Sequence, residues 1–600
     1  MSATSPNDTD SQLPSFTITL DGSPLDSSFV VLGLNVWKNV NKVSRASITI
    51  LAGDTYMGTF EESESANFAP GVDVVISMGY DQTNIGVFTG VLVKHAISVK
   101  RGYETSNFRS LLVLECVDKA VKMTLAKHSE IYEQKKDSDI ITTLLSEYGL
   151  SKTVEASTFQ HSFMAQYNVS DWDFMVKRAH ACGMVVLNSD NSVDVKKPKV
   201  TTSSIAVVVY GESAISFEAE IDASTQLKAT SAKTWDPFRE SLVTQTGSEP
   251  AGMSAPGNLT GATLSSVVSP ASWDLYYSGP LEADELKLIA DAAMIDSRLK
   301  RVRGNVVFRG MSNIALGTII TLSGFGARFD GDVFVTGVEH ELSDGNFTTK
   351  VGFGLPKQFF GDATFGEESP LLNPIRGMHV GIVKNIDGDP DDGYRIQVQI
   401  PALKQSGNGL WARLTQFFAT KDAGSFFIPE VNSEVVVGFL NDDPRFPVVL
   451  GCLYDTNNKP YTTFTADNSK KAIVTTNKLT LEFNDEDKVI TLKTPGGNSI
   501  VINDKDKGIT IEDQNGNSVK TSSSGITINS SKAINITSSQ KVTISGGTGV
   551  DISASGGDVG LKGLNVNAQA DIKFSGKGTA QAELTASGQV VVKGAIVMIN

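Results

Sequence analysis

Cysteine is almost missing from this chain: three residues in 600, Cys116, Cys182 and Cys452, far apart and none in a CxxC pair. That excludes a disulfide framework and points to folding in a reducing compartment. No 18-residue apolar run is present to span a bilayer as a helix. The opening MSATSPNDTDSQLPS has neither a basic n-region nor an apolar h-region, so no Sec-type signal is readable. Clustered Lys and Arg are also lacking, and the formal net charge is −15. A phosphate-backbone binder must neutralise phosphates with such clusters, so nucleic acid is excluded as a partner.

What is present is a globular composition, 40% hydrophobic with 54 glycines, in a chain too long for one core. Three regimes follow one another. The first, 1–370, is rich in half-buried antiparallel strand patterns such as SFTITL (15–20), RASITILAG (45–53) and VDVVISMGY (72–80). Helices interrupt them. DSDIITTLLSEYGL (137–150) carries Ile140, Ile141, Leu144 and Leu145 at helical spacing. VSDWDFMVKRAHACG (169–183) has Ser170 and Asp173 as a capping-box variant and Gly183 at its end. A third helix is expected from Pro280 to about Arg301, acidic at its start and basic at its end.

The second regime, 375–456, places five period-two strands between polar, Gly/Pro-rich turns, which fits a small closed OB-type barrel. A linker is expected over 457–478.

In the third regime, 479–600, branched pairs recur in VITLK, IVIND, ITIED, ITINS, INITS, VTISG and VDISA. Their leading residues, from Ile490 to Val559, are spaced 10, 9, 10, 7, 8, 8, 8 and 9 apart. This is an internal repeat. Each repeat offers too few inward apolar side chains for one chain to enclose a core. Three chains wound together can do so, each forming one wall of a prism with its strand edges paired by neighbouring subunits. About a dozen segments at ~4.8 Å give a rod of at least ~60 Å.

The middle barrel resembles that of contractile-injection spike proteins of the VgrG type and of myophage needle proteins. The residues that carry the likeness are Gly393–Val398, Trp411-Ala412-Arg413, Ile428-Pro429-Glu430-Val431, Glu434–Val437, Asp443–Pro447, Gly451 and Tyr454. QYNVSDWDFMVKRA (166–179) resembles the hub helix of the same family, and 303–342 its second hub barrel. The resemblance implies a mainly β protein with minor α: a phage-hub-like double β-barrel domain, an OB-fold barrel, and a C-terminal triple-stranded β-helix formed by a homotrimer.

It further implies a structural spike, not an enzyme, that joins a sixfold inner tube to a threefold needle and punctures a target envelope. The implied partners are an Hcp-like tube protein at the hub end, a PAAR-like tip protein at the C-terminal end, baseplate proteins and effector cargo, with the target membrane met only during puncture. Assembly is expected in the bacterial cytoplasm, with release as part of the injection particle. Only 24 residues separate Tyr454 from Leu479, too few for an inserted lysozyme of the kind some relatives carry. All six histidines precede the prism, so iron held by a histidine pair at the tip is not expected.

No catalytic, cofactor-binding or metal-binding residue is expected. His340 lies between Glu339 and Glu341, and strand alternation puts it on one face with the acids on the other. His180 and Cys182 are two apart on one helix, about 200° round its axis, and cannot act as a pair. Asp387, Asp389, Asp391 and Asp392 lack the twelfth-position Glu of a calcium loop and read as a solvated turn. Trp411, Phe417 and Phe418 lack basic company beyond Arg413 and Lys421, so the barrel reads as structural. The other class of function is a trimeric tailspike cleaving surface glycans, which requires paired carboxylates ~5–9.5 Å apart across a groove. Glu482, Asp485, Glu486 and Asp487 lie mainly in turns instead.

Overall fold

The computed structural model describes residues 4–6, 13–54, 57–101, 108–200, 203–253, 255–268, 272–356, 372, 374–403, 407 and 409–599. The boundary expected at residue 370 lies outside them. The chain divides into two compact units, Met1–Pro460 and Tyr461–Asn600.

In the first unit, the two expected hub barrels form one thirteen-stranded, mostly antiparallel sheet that wraps two separate apolar cores. The strand Gly331–Ser343 joins the halves, pairing with Val31–Asn39 on one side and Asn346–Phe353 on the other. Its alternation buries Val335, Val338, His340 and Leu342. One core gathers Leu34, Ile48, Ile76, Phe88 and Leu112, the other Val306, Phe308, Ile320, Val335 and Val351.

A third core is helical. Asp171–Ala181 begins at Ser170, whose Oγ accepts the Asp173 N–H at 3.1 Å and donates to the Asp173 carboxylate at 2.7 Å. Trp172, Phe174 and Met175 of this helix pack with Ile140, Ile141, Leu144 and Leu145 of Asp137–Glu147. The third helix runs Ala283–Leu299, starting later than Pro280 because the backbone is still extended at Glu282, which occupies the cap.

Five strands, His379–Asn385, Ile396–Gln399, Leu410–Leu414, Glu434–Phe439 and Pro447–Leu453, close into a barrel filled by Val383, Val398, Ala412, Val435, Val437 and Val449. The barrel is keyed into the helical part of the same unit. Phe446 occupies the space a side chain at Gly279 would need, with a Cβ there meeting the ring at 2.0 Å. Beside it Arg445, almost wholly buried, donates to Glu285 of the third helix at 2.6 Å and to Asp443 at 2.8 Å. Burial lowers the pKa of this guanidinium, but the two carboxylates outweigh burial and raise it above the ordinary value.

A second buried pair lies nearby. Arg178 meets Asp137 at 2.6 Å, and His161 stands between Asp137 at 3.0 Å and Glu285 at 3.9 Å. Burial opposes the Asp137 carboxylate, yet Arg178 and His161 hold its carboxyl well below the usual range.

Two outcomes follow. Arg445→Met leaves Glu285 and Asp443 buried without their cation, so the first thermal transition of the full chain should drop by about 3–5 kcal/mol of stability, with part regained in Arg445→Met/Glu285→Gln. Because the folded Asp137 pKa is depressed, its pair contributes fully above the unfolded value of about 3.9 and is lost as pH falls further, through the folded pKa. Asp137→Asn should therefore flatten the acid limb of the unfolding curve while lowering stability at neutral pH.

Candidate functional site

The second unit is built from hairpins. Seven strands from Lys470–Val474 to Gly525–Asn529 form an antiparallel meander in which each strand pairs with its sequence neighbour. This corrects two expectations. The sheet begins inside 457–478, which was expected to be linker, and these strands are paired within the chain, not by neighbouring subunits. The reason lies in the turns, which are long enough to reverse the chain locally.

Two turn designs alternate. At 484–488 and 503–507, Asn484 and Asn503 accept backbone N–H groups from Asp487 and Asp506, and Lys488 and Lys507 take φ of 56° and 51°. At 494–498 and 513–517, the Thr494 and Asp513 N–H groups bond the carbonyls of Asn498 and Asn517, with Gly497 and Gly516 at φ of 98° and 83°. Segments 484–502 and 503–521 are thus two copies of one unit, NDEDKVITLKTPGGNSIVI and NDKDKGITIEDQNGNSVKT.

Register decides what each face carries, since directly opposed residues share a face. One cross-strand file runs Leu481–Leu492–Ile500–Ile511–Val519–Ile528, and the file beside it Phe483–Ile490–Ile502–Ile509. The other face carries Glu482, Thr491, Val501, Thr510, Lys520 and Thr527. The apolar face lies open: Ile500 is 38% and Ile511 46% exposed, and an apolar trough of ≈ 850 Å³ follows the first file. Past Asn529, no strand among the described residues pairs within the chain, yet Ile534, Ile536, Val542, Ile544, Val550 and Ile552 continue the apolar spacing, all exposed.

A contiguous apolar face this long marks an assembly surface. Most side chains of these two files are already more than half shielded, so covering the rest of each contributes on the order of 1 kcal/mol, a fraction of the ~1.5–3 kcal/mol of full burial.

The residues weighed for chemistry are occupied elsewhere. His340 is buried and 3.0 Å from Thr349 Oγ1, and burial lowers its pKa to about 3, while its neighbour Glu339 accepts the Trp37 indole N–H at 2.7 Å on the other face. Cys182 donates to Asp137 at 3.2 Å, whereas His180 faces Asp296 at 3.8 Å, so the two do not converge. Asp389 accepts the backbone N–H groups of Asp391, Gly393 and Arg395 and, with Asp391, holds the Arg395 guanidinium. The acidic loop is therefore a turn tied by its own arginine, and burial notwithstanding, Arg395 holds the Asp389 carboxyl down to about 2.

In the sheet, Glu482 accepts the Tyr461 hydroxyl, Asp485 pairs with Lys471, and Asp487 pairs with Lys505 at 3.0 Å. Among the described residues, no group of three or more His, Cys, Asp or Glu is placed to hold a metal ion, and no helix is long and apolar enough to cross a membrane. Sequence reasoning missed Phe426 and Phe427, which stand exposed beside Phe417 and Phe418 on one hairpin of the barrel. The FF doublets seven residues apart from the ends of a short Gly-containing turn were the available signal.

Comparison with known families accounts for each part. Residues 10–344 match the family described as the Alg8 N-terminal domain, 379–454 the type VI secretion system/phage-baseplate injector OB domain, and 489–556 the phage baseplate V C-terminal trimerisation domain. The trimerisation match falls on the strands that bear the open apolar face. Closed barrel and amphipathic repeat sheet, in this order, are the parts that match the two baseplate domain families. The chain belongs to the family of the Alg8 N-terminal domain, whose match spans more than half of it, and it is similar to VgrG-type spike proteins.

Among curated relatives, the type VI secretion system spike protein VgrG1a of Pseudomonas aeruginosa is 29% identical over 185 residues, 28% of this chain and 28% of that protein. VgrG3 of Vibrio cholerae is 34% identical over 101 residues, 15% of this chain and 10% of that protein. The chain thus matches well under a third of the length of these relatives. A solved Francisella PdpA–VgrG complex, lidded, shares the fold with a TM-score of 0.51 at 12% identity, covering 84% of this chain and 81% of that one.

Carboxylates on the open face should abolish association. Ile500→Asp/Ile511→Asp is expected to eliminate an SDS-resistant oligomer band, whereas Thr491→Asp/Thr510→Asp, on the opposite face, should retain it in unheated gels.

Proposed function

We propose that three copies of this chain assemble into the spike of a contractile injection machine. The observation that carries the reading is the unshielded apolar face of the repeat sheet, which coincides with the match to a trimerisation domain. Three such sheets, each turning that face to a common axis, bury it in a prism with a dry interior. Beyond Asn529, where no strand among the described residues pairs within the chain, backbone groups and branched side chains find their partners on the other two copies.

In this reading, 1–370 is the hub, 375–456 the barrel, and the repeat region through residue 600 the needle. The hub offers two similar sheet halves per chain, six per trimer, as the platform for a sixfold Hcp-like tube protein. The far end of the needle carries a PAAR-like tip protein, and effector cargo and baseplate proteins attach around it. The machine is assembled inside the bacterium and released with the particle, touching the target membrane only during puncture. The chain's own work is mechanical: rigidity and fit, with the driving force supplied by a contracting sheath. No reaction is assigned to it.

Light scattering on the purified chain should give the mass of three copies of 64.0 kDa, resistant to SDS without heating. Removing 470–600 should leave a soluble hub and barrel that has lost this resistance. A full chain of single-copy mass, or a truncated one that keeps the resistance, would contradict the assembly.

A further inference from the structure

The barrel carries an apolar feature that its own chain does not cover. Between Leu410–Leu414 and Glu434–Phe439, the chain makes a small hairpin, Ala419–Thr420 against Ala423–Gly424. Phe417 and Phe418 enter it and Phe426 and Phe427 leave it, exposed by 100%, 54%, 85% and 62%. The hairpin is held in shape. Ser425 N–H donates to the Phe418 carbonyl at 2.8 Å, Phe418 N–H to Ser425 Oγ at 3.2 Å, and the Gln416 amide to the Phe427 carbonyl at 3.2 Å. Four phenyl rings fixed in water on one short projection are a knob without a socket.

A socket exists in the same unit. A cavity of ≈ 710 Å³ lies where the barrel meets the helical part, walled by Phe159, Phe163, Phe238, Trp411 and Phe446, with Arg413 on the barrel side. Arg395, also in its wall, stacks over Phe238 at 5.7 Å. The lining is mixed: carboxylates of Asp236, Glu282, Asp284, Glu285 and Asp391 stand among the rings and guanidinium groups, and the rings and arginines offer phenyl groups edge-on aromatic and cation–π contacts. None of the four hairpin phenylalanines lines this cavity, so a chain does not fill its own.

We propose that the Phe417/Phe426 hairpin of each chain docks in this cavity on the next copy around the threefold axis. The inference rests on the trimer proposed above. Three features favour a second copy as the occupant. A knob and a socket on different surfaces of one molecule form a head-to-tail contact, which closes into a ring when the rotation is 120°. The barrel is tied to the trimerisation strands by only the residues between Leu453 and Lys470, so neighbouring barrels are held at high effective concentration. The cavity is also mixed in character, aromatic rings standing beside Arg413, Glu282 and other charged side chains, as protein interfaces combine apolar and polar groups.

The test uses the full chain with Phe417→p-benzoylphenylalanine, irradiated after its mass has been measured by light scattering. Expected is an adduct of two chains whose cross-linked peptide contains 159–163, 236–239, 280–285 or 411–413, absent when the same group replaces the exposed Leu125. Three outcomes would overturn the docking while leaving the trimer standing: a three-chain mass with no adduct, with adducts inside one chain only, or with cross-links between chains outside the cavity. A single-chain mass overturns both. Arg413→Glu separates packing from folding: the three-chain mass should persist while the adduct is reduced, and an undiminished adduct at these peptides would remove Arg413 from the contact.

Discussion

The architecture hangs on a sheet that is amphipathic and whose apolar face lies open. Strand alternation sorts Ile and Leu to one side, with valines such as Val489 and Val501 on the other, and the hairpin turns preserve that sorting from strand to strand. A lone sheet of this kind is poorly shielded, because one apolar face stays in contact with water. Association is therefore part of the folding free energy of this unit, not an event that follows it. Past Asn529 no strand among the described residues pairs within the chain, which carries the same constraint further.

The first unit solves the opposite problem. Its cores are shielded by its own sheet, helices and barrel, and specificity is supplied by buried ionic contacts. Arg445 and Glu285 are far apart in sequence yet meet at 2.6 Å, with Asp443 completing the charge balance. Such a contact adds little net stability compared with an apolar pair, but it tolerates few other geometries. Together with Phe446 lodged against Gly279, it gives barrel and helices a single way to meet.

Much of this was legible in local patterns. The helix after Ser170 was marked by its cap and by Trp172 and Met175, and the barrel by five alternating runs between acidic or glycine-rich turns. What was not legible depends on contacts between distant residues. The start of the third helix at Ala283 reflects an extended Glu282, and nothing in Arg445 or Glu285 alone announces their pairing. The hub's alternating strands implied barrels, but they could not show that Gly331–Ser343 would join both halves into one sheet. In the repeat region, spacing gave the apolar period, while the choice between pairing within a chain and between chains is made by turn chemistry at Asn484, Gly497, Asn503 and Gly516.

Those two turn designs also make the repeat sheet a ruler. Each 484–502 unit contributes one strand up and one strand down, about 9.5 Å of height at the usual strand spacing. Duplicating or deleting a whole unit lengthens or shortens the sheet while every side chain keeps its face. Losing one residue from a strand instead turns the following side chains inside out. Evolution can thus adjust reach in steps of a hairpin, but is held strictly to that quantum.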